Sequence, residues 1–381
     1  MQDQAIGETP ASHEGLIIAE SGEVACVRVP TAKPQEGELL VSILYAGVCG
    51  TDVQILKGER HDRAKILGHE GLGVVISAGS KADESWVGRI VAFNPVDPYD
   101  QERILGHSYD GIFQRYFLVS REARRQGLLV PYDGALPHIC GPLVEPIATV
   151  VYAHSLVERK VKPKTVAVVG AGPIGIFHAL VSKICDNACI FLINRSPARL
   201  HWATEHGIVN HGEAMQGTGH LAEEILRRTG GRGVDAVYLC TPRITALGAL
   251  EEGVRYVRDG GCINLFGGFS DDDAAPSLPG IELNKIRRAN ICGLPPEGHY
   301  QSARVGGKTI WITGNRGSSA LHMVRAMALL KVNQHLFTRV ITHMVSFREA
   351  PFLLNTLRRT SSGRAVGGKL YMKAVIDFTT T

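Results

Sequence analysis

Two hydrophobic textures divide the chain. Between Leu16 and about Pro131, short apolar and β-branched runs alternate with Gly, Pro and Asp turns, at 16–20, 24–29, 39–46, 73–77, 89–93 and 113–119. Regularly spaced short strands without a long amphipathic helix predict an irregular or barrel-like all-β unit. From Lys164 the texture changes. A continuous apolar run at 165–169, as in a strand buried on both faces, leads through a Gly-rich turn into a helix over 174–184. A second apolar strand follows at 189–193, then a helix that Ser196 can cap and Gly207 can stop. The alternation continues with a helix at 221–228, a strand at 234–239, a helix at 244–257 and a strand at 262–266. Strands and helices alternating at this spacing predict a parallel, doubly wound sheet, so the fold class is α/β with a separate β-rich unit.

The remaining third is mixed. Residues 318–330 carry apolar positions at 321, 324 and 328, a helical stripe in which Met323 and Met327 read as core filling. The run 369–376 reads as a closing strand, and 270–280 and 295–308 as exposed loops. The triplet Asp271-Asp272-Asp273 reads as a solvated turn.

Composition narrows the function. A net charge of +4, dispersed along 381 residues, gives no footprint for nucleic acid or an anionic membrane. No uninterrupted apolar run in the sequence approaches the ~20 residues of a membrane span, and residues 1–15 lack the basic and apolar regions of a secretion signal. Eight Cys without a C-x-x-C pair do not make a disulfide framework. These features predict a cytoplasmic enzyme acting on a small molecule.

Gly170-Ala171-Gly172-Pro173-Ile174-Gly175 fits G-x-G-x-x-G where it follows a strand and opens a helix, the context that makes it a dinucleotide site. Gly170 serves the tight turn, Gly172 the approach of a pyrophosphate, and Gly175 close helix packing. At the end of the second strand an Asp or Glu would bind ribose hydroxyls and repel a 2′-phosphate. This chain has Asn194-Arg195-Ser196 there, with Arg199 one turn later. An amide, a guanidinium and a hydroxyl suit a dianionic phosphate, so NADP(H) is expected over NAD(H).

In the β-rich half stand Gly47-Val-Cys49-Gly50-Thr51-Asp52 and Gly68-His69-Glu70-Gly71-Leu72-Gly73, with Gly141-Pro-Leu-Val-Glu145-Pro146 ahead of the nucleotide region. With these motifs in this order, the chain resembles the zinc-dependent medium-chain dehydrogenase/reductase family, in its polyol, sugar, threonine and aminocyclitol dehydrogenase branch. The resemblance implies a GroES-like catalytic domain over 1–152 and 314–381, and a Rossmann domain over 153–313. It implies Cys49 and His69 as zinc ligands, with Glu70 or Glu145 as the third. It also implies Asp52 as the carboxylate orienting the histidine, and Thr51 as the hydroxyl that takes the alcohol proton. Gln54 stands where relatives often have a further relay histidine, and Gln cannot titrate. The stretch 93–111, where relatives commonly carry four Cys around a structural zinc, has none. Asp97, Asp100, Glu102 and His107 lie there at a spacing that matches no common structural site. One catalytic zinc per chain and no structural zinc are therefore expected. The implied reaction interconverts a polyhydroxylated secondary alcohol and its ketone by hydride transfer. A zinc-free reductase of the same superfamily and a non-enzymatic nucleotide-binding protein are the alternatives. Pairing through a late strand at 289–294 would give a homodimer or homotetramer.

Overall fold

The computed structural model describes residues 9–217, 220–294, 298–360 and 365–380. The chain forms two compact units, Met1–Pro146 with Met323–Thr381, and Ile147–His322. The divisions fall inside the helices Gly141–Glu158 and Ala320–Phe337.

In the first unit a sheet runs in the order Ile341–Ser346, Lys373–Asp377, Leu39–Val48, Glu70–Ala78, Ile90–Phe93 and Leu129–Pro131, with Tyr116–Val119 also paired to Leu39–Val48. A separate hairpin joins Ser12–Ile18 to Val24–Pro30. Leu39, Val41, Val75, Val91 and Phe93 are wholly buried, and Phe347, Leu353 and Leu354 close the same core. The run 369–376 is two elements: Lys369–Leu370 pairs with Ala365–Val366, and Lys373–Asp377 is the long-range strand. Lys373–Asp377 returns from the far end of the sequence to pair antiparallel with Leu39–Val48, a partner that local pattern does not specify.

The second unit holds a seven-stranded sheet in the order Ala214–Gln216, Cys189–Asn194, Thr165–Val169, Val234–Leu239, Val257–Asn264, Lys308–Thr313 and Gln301–Val305. All neighbours are parallel except the last pair, which is an antiparallel hairpin. The six parallel strands follow the doubly wound order in which ligands bind beyond the strand carboxyl ends. Asp235 ties this sheet together at its other end. Its Oδ2 accepts the Lys164 and Thr165 N–H groups at 2.8 Å, and the Arg258 Nε donates to its Oδ1 at 2.5 Å. Burial opposes its ionisation, but the Arg258 and backbone bonds win and hold the carboxyl below the usual aspartate range. A depressed folded-state pKa stabilises above the ordinary aspartate range and is lost as pH falls through the folded value. Asp235→Asn should therefore cost about 1 kcal/mol at neutral pH, solvent screening keeping the figure low, and much less at pH near 3. Urea unfolding of both proteins at the two pH values checks this.

Three expectations are corrected. The segment 289–294 is the end of helix Leu283–Ala289 followed by a turn with a single bridge, Ile291 to Arg316; the sheet's edge strand is Gln301–Val305. Much of the expected loop 295–308 is accordingly strand, with Gly306-Gly307 as its tight turn, while Pro295 and Pro296 lie outside the described residues. The stripe of Leu321 and Val324 faces outward at 57% and 51% exposure, and Met323, Ala326, Met327 and Leu330 are the buried face. This helix is apolar on more than one side, so periodicity alone does not choose its inner face. Among the described residues one stretch, His138–Glu158, is long and apolar enough to cross a bilayer, but 72% of its apolar 18-residue window, of mean hydropathy 1.2, is buried inside the fold. That is the condition of a core helix.

Candidate active site

Strand register assembles the first group. Gly47 pairs with Glu70 across Leu39–Val48 and Glu70–Ala78, while Val48 pairs with Ala374 on the other side. Residues 49, 70 and 373 therefore meet at one end of the sheet. Cys49 sits where the strand ends and helix Gly50–Leu56 begins. Ligand atoms of Cys49, His69 and Glu70 lie within 4.8 Å of one another. A thiol, an imidazole and a carboxylate at this separation are a donor set suited to zinc. His69 Nδ1 is buried with no hydrogen-bond partner, and the Thr51 hydroxyl lies beside the Cys49 thiol. The residues present thus fit a bound divalent ion. Among the described residues this is the one such group, and Asp97, Asp100, Glu102 and His107 do not form another.

Asp52 is fully buried and accepts the Cys49 N–H at 2.8 Å through Oδ2 and the Gly68 N–H at 3.3 Å through Oδ1. It stands 3.6 Å from His69 Nδ1, an ion-pair distance too long for a hydrogen bond. Its firm contacts therefore fix the two ligand-bearing loops, and its hold on the histidine is electrostatic. Burial raises its pKa, against the pull of His69. Burial likewise drives the Cys49 thiol well above its usual value, reinforced by Glu70 and Asp52. A bound cation would reverse that by stabilising the thiolate.

Glu145, inside helix Gly141–Glu158, is not one of the three clustered ligands. Burial first, then the Glu70 charge, lifts its carboxyl to about 7. Lys373 is a site residue that the sequence motifs do not reveal. It is 3% exposed, and its ammonium donates to Glu70 Oε2 and to the Val48 carbonyl at 3.4 Å. Burial alone would lower its pKa, but Glu70 and Cys49 outweigh that and raise it. Its sequence signal is a lysine inside the buried run Met372-Lys373-Ala374-Val375-Ile376, since a buried cation requires a partner. His107 packs against His69 with ring centroids 4.9 Å apart, and burial, then His69 and Arg60, push it down to about 3. In the 93–111 stretch, Asp97 Oδ1 accepts the Tyr99 and Asp100 N–H groups, and Leu105 N–H bonds the Pro95 carbonyl, closing the loop with its own hydrogen bonds.

The second unit carries the dinucleotide elements. Gly170 has φ +111°, and a Cβ there would lie 2.5 Å from the Cys240 carbonyl; one on Gly175 would lie 1.7 Å from the Gly170 carbonyl. Neither position admits a side chain. Gly172 caps helix Pro173–Cys185, with Pro173 in the first turn and Ile174 behind it, leaving free N–H groups for an anion. Asn194 Oδ1 accepts the Ala171 N–H at 3.3 Å and its Nδ2 donates to the Ser196 carbonyl at 3.3 Å, so the amide joins the glycine turn to the second strand. Ser196 is the N-cap of helix Pro197–Glu205 but makes no side-chain capping bond. Arg195 is exposed, with its stem 3.7 Å from a Cβ placed on Gly217. Arg199 Nη1 lies 3.4 Å from a Cβ placed on Gly172, beside the glycine turn rather than beside Arg195 alone.

Residues 35–128 match the alcohol dehydrogenase GroES-like domain. The chain is 25% identical to a sorbitol dehydrogenase of Bacillus subtilis (strain 168) over 73% of its length and 81% of that protein. It superimposes on an alcohol dehydrogenase from E. coli CFT073 solved with NADH, with TM-score 0.74 and 19% identity over 97% of this chain and all of that one. A Sinorhizobium meliloti 1021 protein solved with NADP matches with TM-score 0.72 and 21% identity, over 97% of this chain and 100% of that one. Fold and motifs define a GroES-like unit joined to a Rossmann-type unit. The chain thus carries an alcohol dehydrogenase GroES-like domain and, over most of its length, is similar to a polyol dehydrogenase.

Proposed function

We propose that the protein interconverts a secondary alcohol of the polyol, sugar or cyclitol type and its ketone, with NADP(H) and one catalytic zinc per chain. The carrying observation is the Cys49, His69 and Glu70 group, within 4.8 Å, beside the Thr51 hydroxyl. Similarity to a sorbitol dehydrogenase supports the alcohol–ketone chemistry and the substrate class. Zinc held by Cys49, His69 and Glu70 would supply Lewis acidity toward an alcohol oxygen, and the nicotinamide would supply the hydride chemistry. Glu145 remains in reserve as an alternative third ligand.

Thr51, whose hydroxyl lies beside the Cys49 thiol, would accept the alcohol proton through Oγ1. Gln54 does not carry the proton onward, so release proceeds through another acceptor. Asp52 holds the Cys49 and Gly68 backbones, keeping the two motifs in register. On the nucleotide side, the glycine turn and the N-terminus of Pro173–Cys185 receive the pyrophosphate. Asn194, Arg195 and Ser196 receive the adenosine ribose and its 2′-phosphate, with Arg199 adding charge at the turn. A cytoplasmic setting and assembly as a homodimer or homotetramer complete the reading.

A panel of sugars, inositols and aminocyclitols, assayed with both cofactors alongside bound-metal analysis, tests it. Turnover of a polyhydroxylated secondary alcohol by zinc-loaded protein supports the reading. Turnover without metal points to a zinc-free reductase, and metal without turnover to a binding protein.

A further inference from the structure

Strands Val257–Asn264 and Lys308–Thr313 are parallel neighbours, and one arginine lies over both of their carboxyl ends. Arg287, on helix Leu283–Ala289, donates from Nη2 to the Phe266 carbonyl at 3.3 Å, just beyond the first strand. Its Cγ would lie 2.7 Å from a Cβ placed on Gly314, the residue after the second strand, so the stem crosses where the chain is bare. Its Nε is buried with no hydrogen-bond partner. No described carboxylate pairs with it. Burial first, then the neighbouring Arg316 charge, pull its pKa down to about 10, which still leaves a full cation at neutral pH. A buried guanidinium held by a carbonyl and flanked by a second arginine is unfavourable until an anion joins it. At the adjoining strand end the Thr241 hydroxyl is also buried without a partner. The two loops touch there, since a Cβ on Gly267 would lie 2.5 Å from the Thr241 carbonyl.

Beyond the strand carboxyl ends is where an open parallel sheet binds ligands. The cofactor's own phosphates belong elsewhere on this edge. The glycine turn follows Thr165–Val169, and the sheet order puts Val257–Asn264 two strands away and Lys308–Thr313 three. At the usual strand spacing that is about 10–14 Å, too far for a pyrophosphate on the turn to meet Arg287. Arg195, assigned to the 2′-phosphate, lies on the opposite side of the turn, after Cys189–Asn194.

We infer that Arg287 receives an oxyanion, a carboxylate or a phosphate, carried by the substrate, so that the substrate is a sugar acid or a sugar phosphate rather than a neutral polyol. This rests on the alcohol–ketone reading above. A guanidinium presents paired donors to either group, whereas an ammonium is a point charge.

The test sets sorbitol, xylitol and myo-inositol each beside its aldonate or its monophosphate. Two quantities are read: kcat/KM of the zinc-loaded protein, and the dissociation constant by calorimetry on protein saturated with NADP+. At least one acid or phosphate should exceed its neutral parent tenfold in both, and which of them does so identifies the anion. Arg287→Met should reduce that margin at least tenfold, while the neutral parent and NADP+ each stay within twofold of wild type. Arg287→Lys should keep a part of it. Neutral parents that equal or surpass every anionic partner overturn the inference, as does a margin that survives in Arg287→Met. A loss of NADP+ affinity with the margin unchanged also overturns it, because the anion is then the cofactor's. If Arg287→Met does not fold, Arg287→Lys decides on the same terms, with a margin narrowed at least threefold expected. Turnover of neutral polyols alone sinks this inference and leaves the alcohol–ketone reading standing, whereas no turnover across the panel sinks both.

Discussion

Cys49→Ser should lose stoichiometric zinc and lower turnover by about a thousandfold, the several kcal/mol that a Lewis acid contributes at ~1.4 kcal/mol per tenfold. The reason is local. Cys49 stands at the junction of strand Leu39–Val48 and helix Gly50–Leu56, with its N–H already bonded to Asp52. A serine keeps that backbone bond, so the turn and the Asp52 contacts to both motifs survive. What is lost is the soft donor, because a serine hydroxyl at neutral pH is a far weaker zinc ligand than a thiolate. The dinucleotide elements lie in the other unit, so cofactor affinity should change by less than twofold. Metal content, steady-state turnover and cofactor titration on the same preparation check all three statements. Near-normal activity without zinc would show the cluster to be chemically idle.

The second large effect concerns cofactor choice. A guanidinium bonded to a 2′-phosphate is worth about 1.5–3 kcal/mol, so wild type should prefer NADPH over NADH by roughly ten- to a hundredfold. Arg195→Ala should remove most of that preference through weaker NADP(H) binding. Asn194→Asp should go further. Its carboxylate retains the acceptor that meets the Ala171 N–H, repels a phosphate and accepts ribose hydroxyls, shifting preference toward NAD(H). Because Arg199 lies against the glycine turn, Arg199→Ala should weaken both cofactors rather than discriminate between them. Dissociation constants for both cofactors on wild type and the three variants measure this. Equal affinity of wild type for NADH and NADPH would make Arg195 a surface residue.

Local signals carried most of the nucleotide unit. The strands at 165–169 and 234–239 were legible to the residue because a run buried on both faces has no competing pattern, and the helix at 221–228 because its buried Leu221, Ala222 and Ile225 recur at helical spacing. The glycine turn was legible because its positions exclude side chains. The group Cys49, His69 and Glu70 was legible through motif likeness, whereas spacing alone did not choose between Glu70 and Glu145, which stands on helix Gly141–Glu158 and feels the Glu70 charge. Lys373 was missed because sequence spacing says nothing of distance across a sheet. Its partner lies 303 positions away, joined only by the long-range pairing of Lys373–Asp377 with Leu39–Val48. The strand Gln301–Val305 falls inside the expected loop 295–308 because the Gly and Pro content there resembles a loop, although Gly306-Gly307 is a turn between strands.

The most direct test of the central claim is zinc per chain in purified protein, followed through chelation and re-addition while alcohol oxidation is assayed. One zinc per chain, loss of oxidation with its removal, and recovery with its return are expected. Full oxidation by metal-free protein would contradict it.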